Sequence, residues 1–265
     1  MKNVKVCILR AAGTNCDRET GFAFLEAGAE VEFVHINRLI SGEKNLSDFG
    51  ILAIPGGFTY GDDLGAGKIL ANELRFKLAL DIRKFIDQGK LIIGICNGFQ
   101  ILVKSGLLPG SESADQEVSL IINDSGRFED RWVHLLGQAS KPKNQHCVWA
   151  RGLPEIIYLP VAHGEGKFLT RDNKVLQRLK ANKQIVFQYC DKAGNPADYP
   201  YNPNGSKDGI AGICDITGRI LGLMPHPERH IESKQHPRWT GIKNKKAGDG
   251  LAIFKNGVEY ARKNL

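Results

Sequence analysis

The stretch LIIGICNGFQ, residues 91–100, decides the fold that we predict for this chain. Its first five residues form a continuous apolar run, which is typical of a short buried strand, and a helical pattern begins at Gly98. Cys96 stands between the two, on a sharp strand-to-helix turn. The flanking glycines, Gly94 and Gly98, reduce steric conflict where backbone and side chain must crowd together. The stretch therefore has the form of a nucleophile elbow.

Strand-like and helical segments alternate along the first half of the chain. The predicted strands are residues 4–9, 30–35 and 50–54, and the predicted helices are residues 20–29, 68–88 and 98–105. Because each parallel pairing needs a crossover connection, this alternation favours an α/β fold with an open, mostly parallel sheet flanked by helices.

The second half predicts an antiparallel extension of that sheet, because extended segments follow one another with Gly, Pro and Asn loops between them. These segments are residues 126–136, 184–190, 209–215 and 219–224, and an amphipathic helix over residues 249–263 closes the chain. No stretch has the composition of a flexible linker. We therefore predict a single domain over residues 1–265.

Composition excludes several classes of protein. The net charge of +7 is scattered among 29 acidic residues, and the tightest basic run, Lys243, Lys245 and Lys246, reads as a solvated loop or a partner-facing edge rather than a nucleic-acid site. Six cysteines without short paired spacings predict reduced thiols, with no metal or cofactor site in this subunit. No apolar run approaches membrane-spanning length, so we predict a cytoplasmic protein without membrane contact.

Cys96 is the candidate nucleophile. A helix N-terminus stabilises negative charge on the sulfur, and the amide of Asn97 is placed to donate to the oxyanion of a tetrahedral intermediate. The alternative is that Cys96 is a small buried residue in a tight turn, which is the usual role of a lone cysteine.

The stretch LGLMPHPERH, residues 221–230, supplies the base that a thiolate nucleophile needs. An apolar strand ends at Pro225, and prolines on both sides of His226 stiffen the backbone there. The alternate spacing of His226 and Glu228 directs both side chains to one side if the segment is extended. We predict His226 as the general acid/base and Glu228 as its orienting carboxylate; a structural or surface histidine is the alternative.

A glycine-rich loop, PGGFTYGDDLGAG at residues 55–67, follows another predicted strand. Because ligands gather at the carboxyl ends of parallel strands, this loop is expected beside the elbow, where the amide of Gly57 would complete the oxyanion hole. The loop lacks the spacing of a dinucleotide or Walker motif. A plain strand-to-helix connection is the other interpretation.

Together these segments resemble the class I glutamine amidotransferases, and specifically the glutaminase components of phosphoribosylformylglycinamidine synthases. The resemblance rests on six ordered motifs that cover nearly the whole chain: PGGFTYGDDLGAG, GICNGFQ, RFEDRWV, VAHGEGKF, NPNGS followed by GIAGIC, and GLMPHPER. It implies a catalytic triad of Cys96, His226 and Glu228, and oxyanion amides at Gly57 and Asn97. It also implies that Gln100 helps to hold substrate, although packing within its helix is an alternative, and that Arg131 and Trp132 line the same pocket.

The resemblance further implies the reaction and the partners. Members of this family hydrolyse L-glutamine through a cysteine thioester and pass ammonia to an ATP-dependent synthetase subunit in purine biosynthesis. We therefore expect that synthetase and a small accessory subunit as partners, with ATP and Mg²⁺ bound by the synthetase, and weak activity of the isolated subunit. A glutaminase for CTP or GMP synthesis and a non-catalytic interaction subunit are the alternatives.

Two departures from the family pattern are visible. Thr59 stands where serine is expected, and the chain is longer than compact bacterial relatives around residues 139–155. Neither departure touches the predicted triad. Because of the extra length, the contacts with partner subunits cannot be carried over from the family.

Overall fold

A large central sheet carries the rest of the protein. The computed structural model describes residues 3–110, 116–137, 146–241 and 247–265. Its strands are β1 (Lys5–Arg10), β2 (Glu30–His35), β3 (Ile51–Ile54), β4 (Leu91–Ile95), β5 (Val118–Ile121), β6 (Glu129–Gly137), β7 (Ile156–His163), β8 (Lys167–Thr170), β9 (Ile185–Cys190), β10 (Ile210–Cys214) and β11 (Ile220–Leu223). Its helices are α1 (Asp17–Glu26), α2 (Ile36–Ile40), α3 (Lys68–Lys77), α4 (Ala79–Asp87), α5 (Asn97–Lys104), α6 (Asn173–Ala181) and α7 (Leu251–Asn264).

The described strands form a nine-stranded sheet in the order β2-β1-β3-β4-β11-β10-β9-β6-β7, and β5 and β8 pair separately. The pairings from β2 to β11 are parallel, and those from β11 to β7 are antiparallel. The α/β sheet with an antiparallel extension, predicted from the sequence, is confirmed. The parallel half brings the carboxyl ends of β1, β3, β4 and β11 to one edge.

The predicted helix over residues 68–88 is wrong in one respect, because two helices occupy this segment. Leu78 lies between them with φ −121° and ψ 14°, outside helical geometry. Leu74, Leu78 and Ile82 are all buried. Because both helices bury the same face, the apolar residues keep their helical spacing across the break. The sequence pattern therefore gives no sign that the helix is interrupted at Leu78.

Strand β7 had no counterpart in the sequence prediction. It contains Pro160, which pairs with Trp132 of β6. Proline removes a backbone donor and argues against a central strand, but it is tolerated where a strand has only one neighbour. Because β7 is the last strand of the sheet, this position accepts the proline.

The extra length near residues 139–155 contributes to the core where the structure describes it. Residues 139–145, like the basic run Lys243–Lys246, lie outside the described residues. Trp149 is fully buried, stacks edge-on against Phe24 at 6.5 Å, and donates its Nε1 hydrogen bond to Arg219 O at 2.9 Å. This part of the segment is therefore a structural element. Within the described parts of the chain, no helix is long and apolar enough to cross a membrane.

Close backbone packing at the elbow gives a first prediction. A β-carbon on Gly98 would overlap the carbonyl oxygen of Ile54, a backbone atom of β3 that has no freedom to move aside. Gly98→Ala is therefore expected to lower the free energy of unfolding by about 1–3 kcal/mol, as measured by urea denaturation. Gly241→Ala, at a glycine where a β-carbon would have no atom of the described residues within 4 Å, is the control and is expected to change stability by less than about 0.5 kcal/mol. Equal effects of the two substitutions would contradict the argument.

Candidate active site

Cys96 occupies the turn between β4 and α5. Its φ of 52° and ψ of −106° lie outside the regions that non-glycine residues favour, a conformation that costs on the order of 1–3 kcal/mol and concentrates at functional sites. The amide of Cys96 donates to Leu223 O at 2.8 Å, and its carbonyl accepts from Phe99 and Gln100 at the start of α5. Strand pairing and helix thus hold the predicted elbow from both sides.

The register of the sheet explains how the segment with His226 and Glu228 reaches this turn. Strand β11 pairs in parallel with β4, with Leu223 opposite Ile95. The two strands therefore end together, and the residues that follow them, Cys96 and His226, emerge at the same edge. The amide of His226 is anchored to Pro160 O of β7 at 2.8 Å.

His226 and Glu228 form a buried pair. Nδ1 of His226 lies 2.6 Å from Glu228 Oε1, and both side chains are almost fully inaccessible to solvent. Burial by itself lowers the pKa of His226, but the Glu228 carboxylate, and after it the thiols of Cys96 and Cys16, outweigh burial and hold that pKa well above 6.5. The structure therefore brings the three predicted triad residues together, with a histidine that is prepared to carry a proton.

Cys96 is buried beside strand β7 and the glycine-rich loop. Its Sγ lies 3.6 Å from Ala162 O of β7, and the residue keeps 6% of its surface exposed. The adjacent loop is close as well, because a β-carbon built on Gly56 would lie 3.5 Å from Cys96 Cβ. The neighbouring Gly57 has φ +145°, a conformation that favours glycine, and pairs in an isolated bridge with Thr14. The loop that carries the predicted oxyanion amide thus packs against the nucleophile.

The side chain of Asn97 locks this loop to the helix. Its Oδ1 accepts from the Thr59 hydroxyl at 2.7 Å and from the Thr59 amide at 3.3 Å. Its Nδ2 donates to Asp62 Oδ1 at 3.2 Å and to Gln100 Oε1 at 2.9 Å. Threonine in place of the expected serine keeps the hydroxyl that this contact requires.

Gln100 is engaged at both ends of its side-chain amide. Beyond its contact with Asn97, its Nε2 donates to Glu165 O at 2.5 Å. It thereby ties α5 to the HGEG turn at residues 163–166. A direct contact of Gln100 with substrate stays a prediction.

Arg131 and Trp132 also make contacts of their own along β6. Arg131 pairs with Glu129, donates to the Tyr199 hydroxyl at 2.9 Å and lies over the Tyr199 ring. Trp132 packs against the ring of Tyr158 with centroids 5.2 Å apart. Their place in the substrate pocket stays a prediction.

A buried polar network supports the HGEG turn. Asn123 donates to His163 O at 2.8 Å and accepts from the Gly166 amide at 2.9 Å, while Asn204 donates to Gly166 O at 2.8 Å. Burial, and then the charge of His226, lower the pKa of His163 to about 3, so its imidazole is neutral. The VAHGEGKF and NPNGS motifs therefore meet in space and fix the segment that Gln100 binds.

Cys16 is a site residue that the sequence argument missed. It is buried at the start of α1, and its Sγ accepts from Arg229 Nη2 at 3.2 Å. Burial raises the pKa of this thiol, and contact with His226 partly opposes that rise. The one available signal was its position after β1, since β1 ends at the same sheet edge as β4.

The contact between Thr59 and Asn97 supports a second prediction. Thr59→Val keeps the shape of the side chain but removes the hydroxyl donor, so the loop loses one buried hydrogen bond, worth about 1 kcal/mol. We expect turnover of glutamine to fall by roughly three- to tenfold because the oxyanion amide is less well held. The measurements are urea denaturation and steady-state glutaminase kinetics. Thr59→Ser, which restores the donor, is expected to match the parent protein, and failure of serine to do so would contradict this role.

Three comparisons with known proteins each match nearly the whole chain to glutamine amidotransferases. The family model for the CobB/CobQ-like glutamine amidotransferase domain matches residues 3–261. A Dehalococcoides mccartyi protein named phosphoribosylformylglycinamidine synthase subunit PurQ is 52% identical over 263 residues, covering 99% of each chain. A Methanococcus maripaludis protein of the same name is 47% identical over 273 residues, covering 98% of each. A solved chain from the structure of PurLQS from Thermotoga maritima is 31% identical with a TM-score of 0.73, covering 98% of this chain and 99% of that one.

Proposed function

Because the chain belongs to the PurQ family of glutamine amidotransferases, we propose that it hydrolyses L-glutamine at Cys96 and delivers the ammonia to a synthetase subunit. It is an enzyme, the glutamine amidotransferase subunit of phosphoribosylformylglycinamidine synthase in purine biosynthesis. The family resemblance predicted from the sequence is confirmed. One observation carries the residue assignment: the parallel register of β4 and β11 sets Cys96 beside the His226–Glu228 pair.

The first half-reaction releases ammonia. The thiolate of Cys96 attacks the side-chain amide carbon of glutamine, and the amides of Gly57 and Asn97 bind the resulting oxyanion. Protonated His226 gives its proton to the departing nitrogen as the carbon–nitrogen bond breaks. The raised pKa of His226 suits it to this step, because the proton is present before attack begins. Ammonia leaves, and Cys96 is held as a γ-glutamyl thioester.

The second half-reaction restores the enzyme. Neutral His226 takes a proton from water, which attacks the thioester carbon and expels the sulfur of Cys96. Glutamate leaves, and the proton on His226 again faces the thiolate. Glu228 keeps the imidazole in one orientation and stabilises its charged form through both steps.

The partners follow from the family. We place the synthetase subunit, with its ATP and Mg²⁺, outside this chain, and a small accessory subunit alongside it, in keeping with the three letters in the name of the Thermotoga maritima PurLQS assembly. A cytoplasmic location suits the six free cysteines. The alternatives, a glutaminase for CTP or GMP synthesis and a non-catalytic subunit, are disfavoured because PurQ relatives match nearly the full length of the chain.

Reconstitution tests this function. The purified chain is combined with its synthetase, ATP, Mg²⁺ and formylglycinamide ribonucleotide, and formation of the amidine product is followed with glutamine and, separately, with ammonium chloride. We expect product from both nitrogen sources, with glutamine use dependent on this chain. Product from ammonium chloride but none from glutamine would overturn the proposal.

A further inference from the structure

A second thiol lies against the catalytic imidazole. One ligand atom from each of Cys16, His226 and Glu228 lies within 4.8 Å of the others, and all three side chains are buried. A β-carbon built on Gly56 would fall 3.1 Å from Cys16 Sγ and 2.9 Å from His226 Cε1. The same position is 3.5 Å from Cys96 Cβ. Cys16 Sγ, the His226 ring and the β-carbon of Cys96 therefore all pack around Gly56.

The imidazole presents a free nitrogen to its surroundings. Nδ1 of His226 is taken by Glu228, whereas Nε2 is buried without a hydrogen-bond partner among the residues that the structure describes. Histidines that bind metals through one nitrogen commonly give the other N–H to a carboxylate, which fixes the tautomer and strengthens the ligand. His226 and Glu228 already have this arrangement.

We propose that the thiolates of Cys16 and Cys96, together with Nε2 of His226, form an inhibitory binding site for Zn²⁺. Zinc accepts thiolate and imidazole ligands in tetrahedral geometry with bonds of about 2.0–2.3 Å, and a water molecule completes a three-ligand site. Thiolates select against Mg²⁺ and Ca²⁺, which prefer oxygen ligands. Cys96 Sγ is not among the ligand atoms that lie within 4.8 Å of one another, so rotation of the Cys96 side chain must bring it to the metal.

The surrounding charges suit a divalent cation. Zinc binding displaces the protons of both thiols, so that Cys16, Cys96 and Glu228 carry three negative charges. Zn²⁺ and the Arg229 guanidinium balance them, which limits the desolvation penalty of a buried site. Arg229 Nη2 already contacts Cys16 Sγ at 3.2 Å and would donate to the metal-bound thiolate, while its Nε pairs with half-exposed Glu19 at 2.9 Å.

Occupation of this site blocks glutamine hydrolysis, because zinc engages the nucleophile and the general acid at once. Synthesis from free ammonia uses neither group and is spared. This inhibitory consequence rests on the proposed function, whereas metal binding itself does not, so the two are measured separately.

Binding is tested on the full chain with Co²⁺ as a spectroscopic substitute for zinc. Cobalt chloride is expected to produce a thiolate-to-cobalt charge-transfer absorption that zinc chloride removes. Cys16→Ser is expected to weaken that absorption and to lower the affinity for zinc at least about tenfold, as the loss of a direct ligand requires. Cys16→Ala is the second variant in case serine disturbs folding, and circular dichroism verifies that each is folded. Cys190→Ala removes a buried thiol at the end of β9 and is the control, with unchanged cobalt absorption.

Inhibition is tested in the reconstituted synthase with buffered free zinc, and each variant is normalised to its own metal-free rate. Zinc is expected to stop glutamine-dependent synthesis and to leave ammonia-dependent synthesis intact, with at least about a tenfold higher inhibitory concentration for either Cys16 variant. Cobalt absorption and zinc affinity that are the same in the Cys16 variants as in the parent would overturn the site. Cobalt binding in a chain that forms no product from glutamine would instead overturn only the proposed function.

Discussion

Replacement of Cys96 by alanine is expected to abolish glutamine hydrolysis while synthesis from free ammonia continues. Without the sulfur no thioester forms, and loss of a nucleophile that acts as part of a triad reduces turnover by about 10⁴-fold or more. Folding should be preserved, because alanine meets the same steric conflict at φ 52° that cysteine already bears. The measurements are glutamate release and product formation from each nitrogen source.

A second cysteine variant distinguishes loss of the nucleophile from loss of a buried side chain. Cys190→Ala also deletes a buried sulfur, but at the end of β9, where it pairs with His134 of β6. It is expected to retain glutaminase activity within about a factor of three, since substitutions away from the site act through stability alone. More than about 1% residual hydrolysis in Cys96→Ala, or an equal loss in Cys190→Ala, would remove Cys96 from the role of nucleophile.

The proximity of the predicted triad residues could be inferred because Cys96 follows one apolar run and His226 and Glu228 follow another. Cys96 and His226 are distant in sequence, but both stand just beyond strands, and the carboxyl ends of parallel strands share one edge of a sheet. What the sequence does not contain is the order of strands. The adjacency of β4 and β11 depends on long-range pairing, and only the structure shows it.

Cys16 was not predicted because no local rule marks it. It has no spacing relation to another cysteine, and it reaches the site only because β1 lies next to β3 in the same sheet and because Arg229 extends toward it. Pro160 is the opposite case, since a residue that usually argues against a strand lies in one that has a single neighbour. In both cases the position of the residue in the fold depends on a tertiary contact that local sequence does not specify.

For Gln100, the sequence predicts a position near the site but not the atoms that its side chain contacts. Its place one helical turn beyond the nucleophile indicates proximity to the site, but not which atoms it binds. The structure shows both ends of its amide bonded to protein, at Asn97 and Glu165. A polar side chain near a nucleophile can thus secure the loops of the site, and motif position alone does not separate that role from contact with substrate.

Replacement of Glu228 by glutamine is expected to reduce glutamine turnover by about 10²- to 10⁴-fold, with the fold retained. Glutamine has nearly the same shape but no charge, and its amide can donate to Nδ1 of His226, which favours the tautomer that cannot serve the thiolate. The imidazolium also loses the carboxylate that holds its pKa high. Because this stabilisation acts on charge that develops during the reaction, we expect the loss in kcat rather than in KM.

Three measurements together distinguish orientation of His226 from general damage. Ammonia-dependent synthesis by the Glu228→Gln complex should equal that of the parent, and urea denaturation should show a loss of at most about 1–3 kcal/mol, the cost of a buried amide that lacks a partner. Glu19→Gln removes the half-exposed carboxylate that pairs with Arg229 and is the matched control. Exposed ion pairs contribute about 0–1 kcal/mol, so this variant should keep nearly full activity. A Glu228→Gln enzyme with parental kcat would show that His226 needs no carboxylate behind it, and the triad would reduce to a pair.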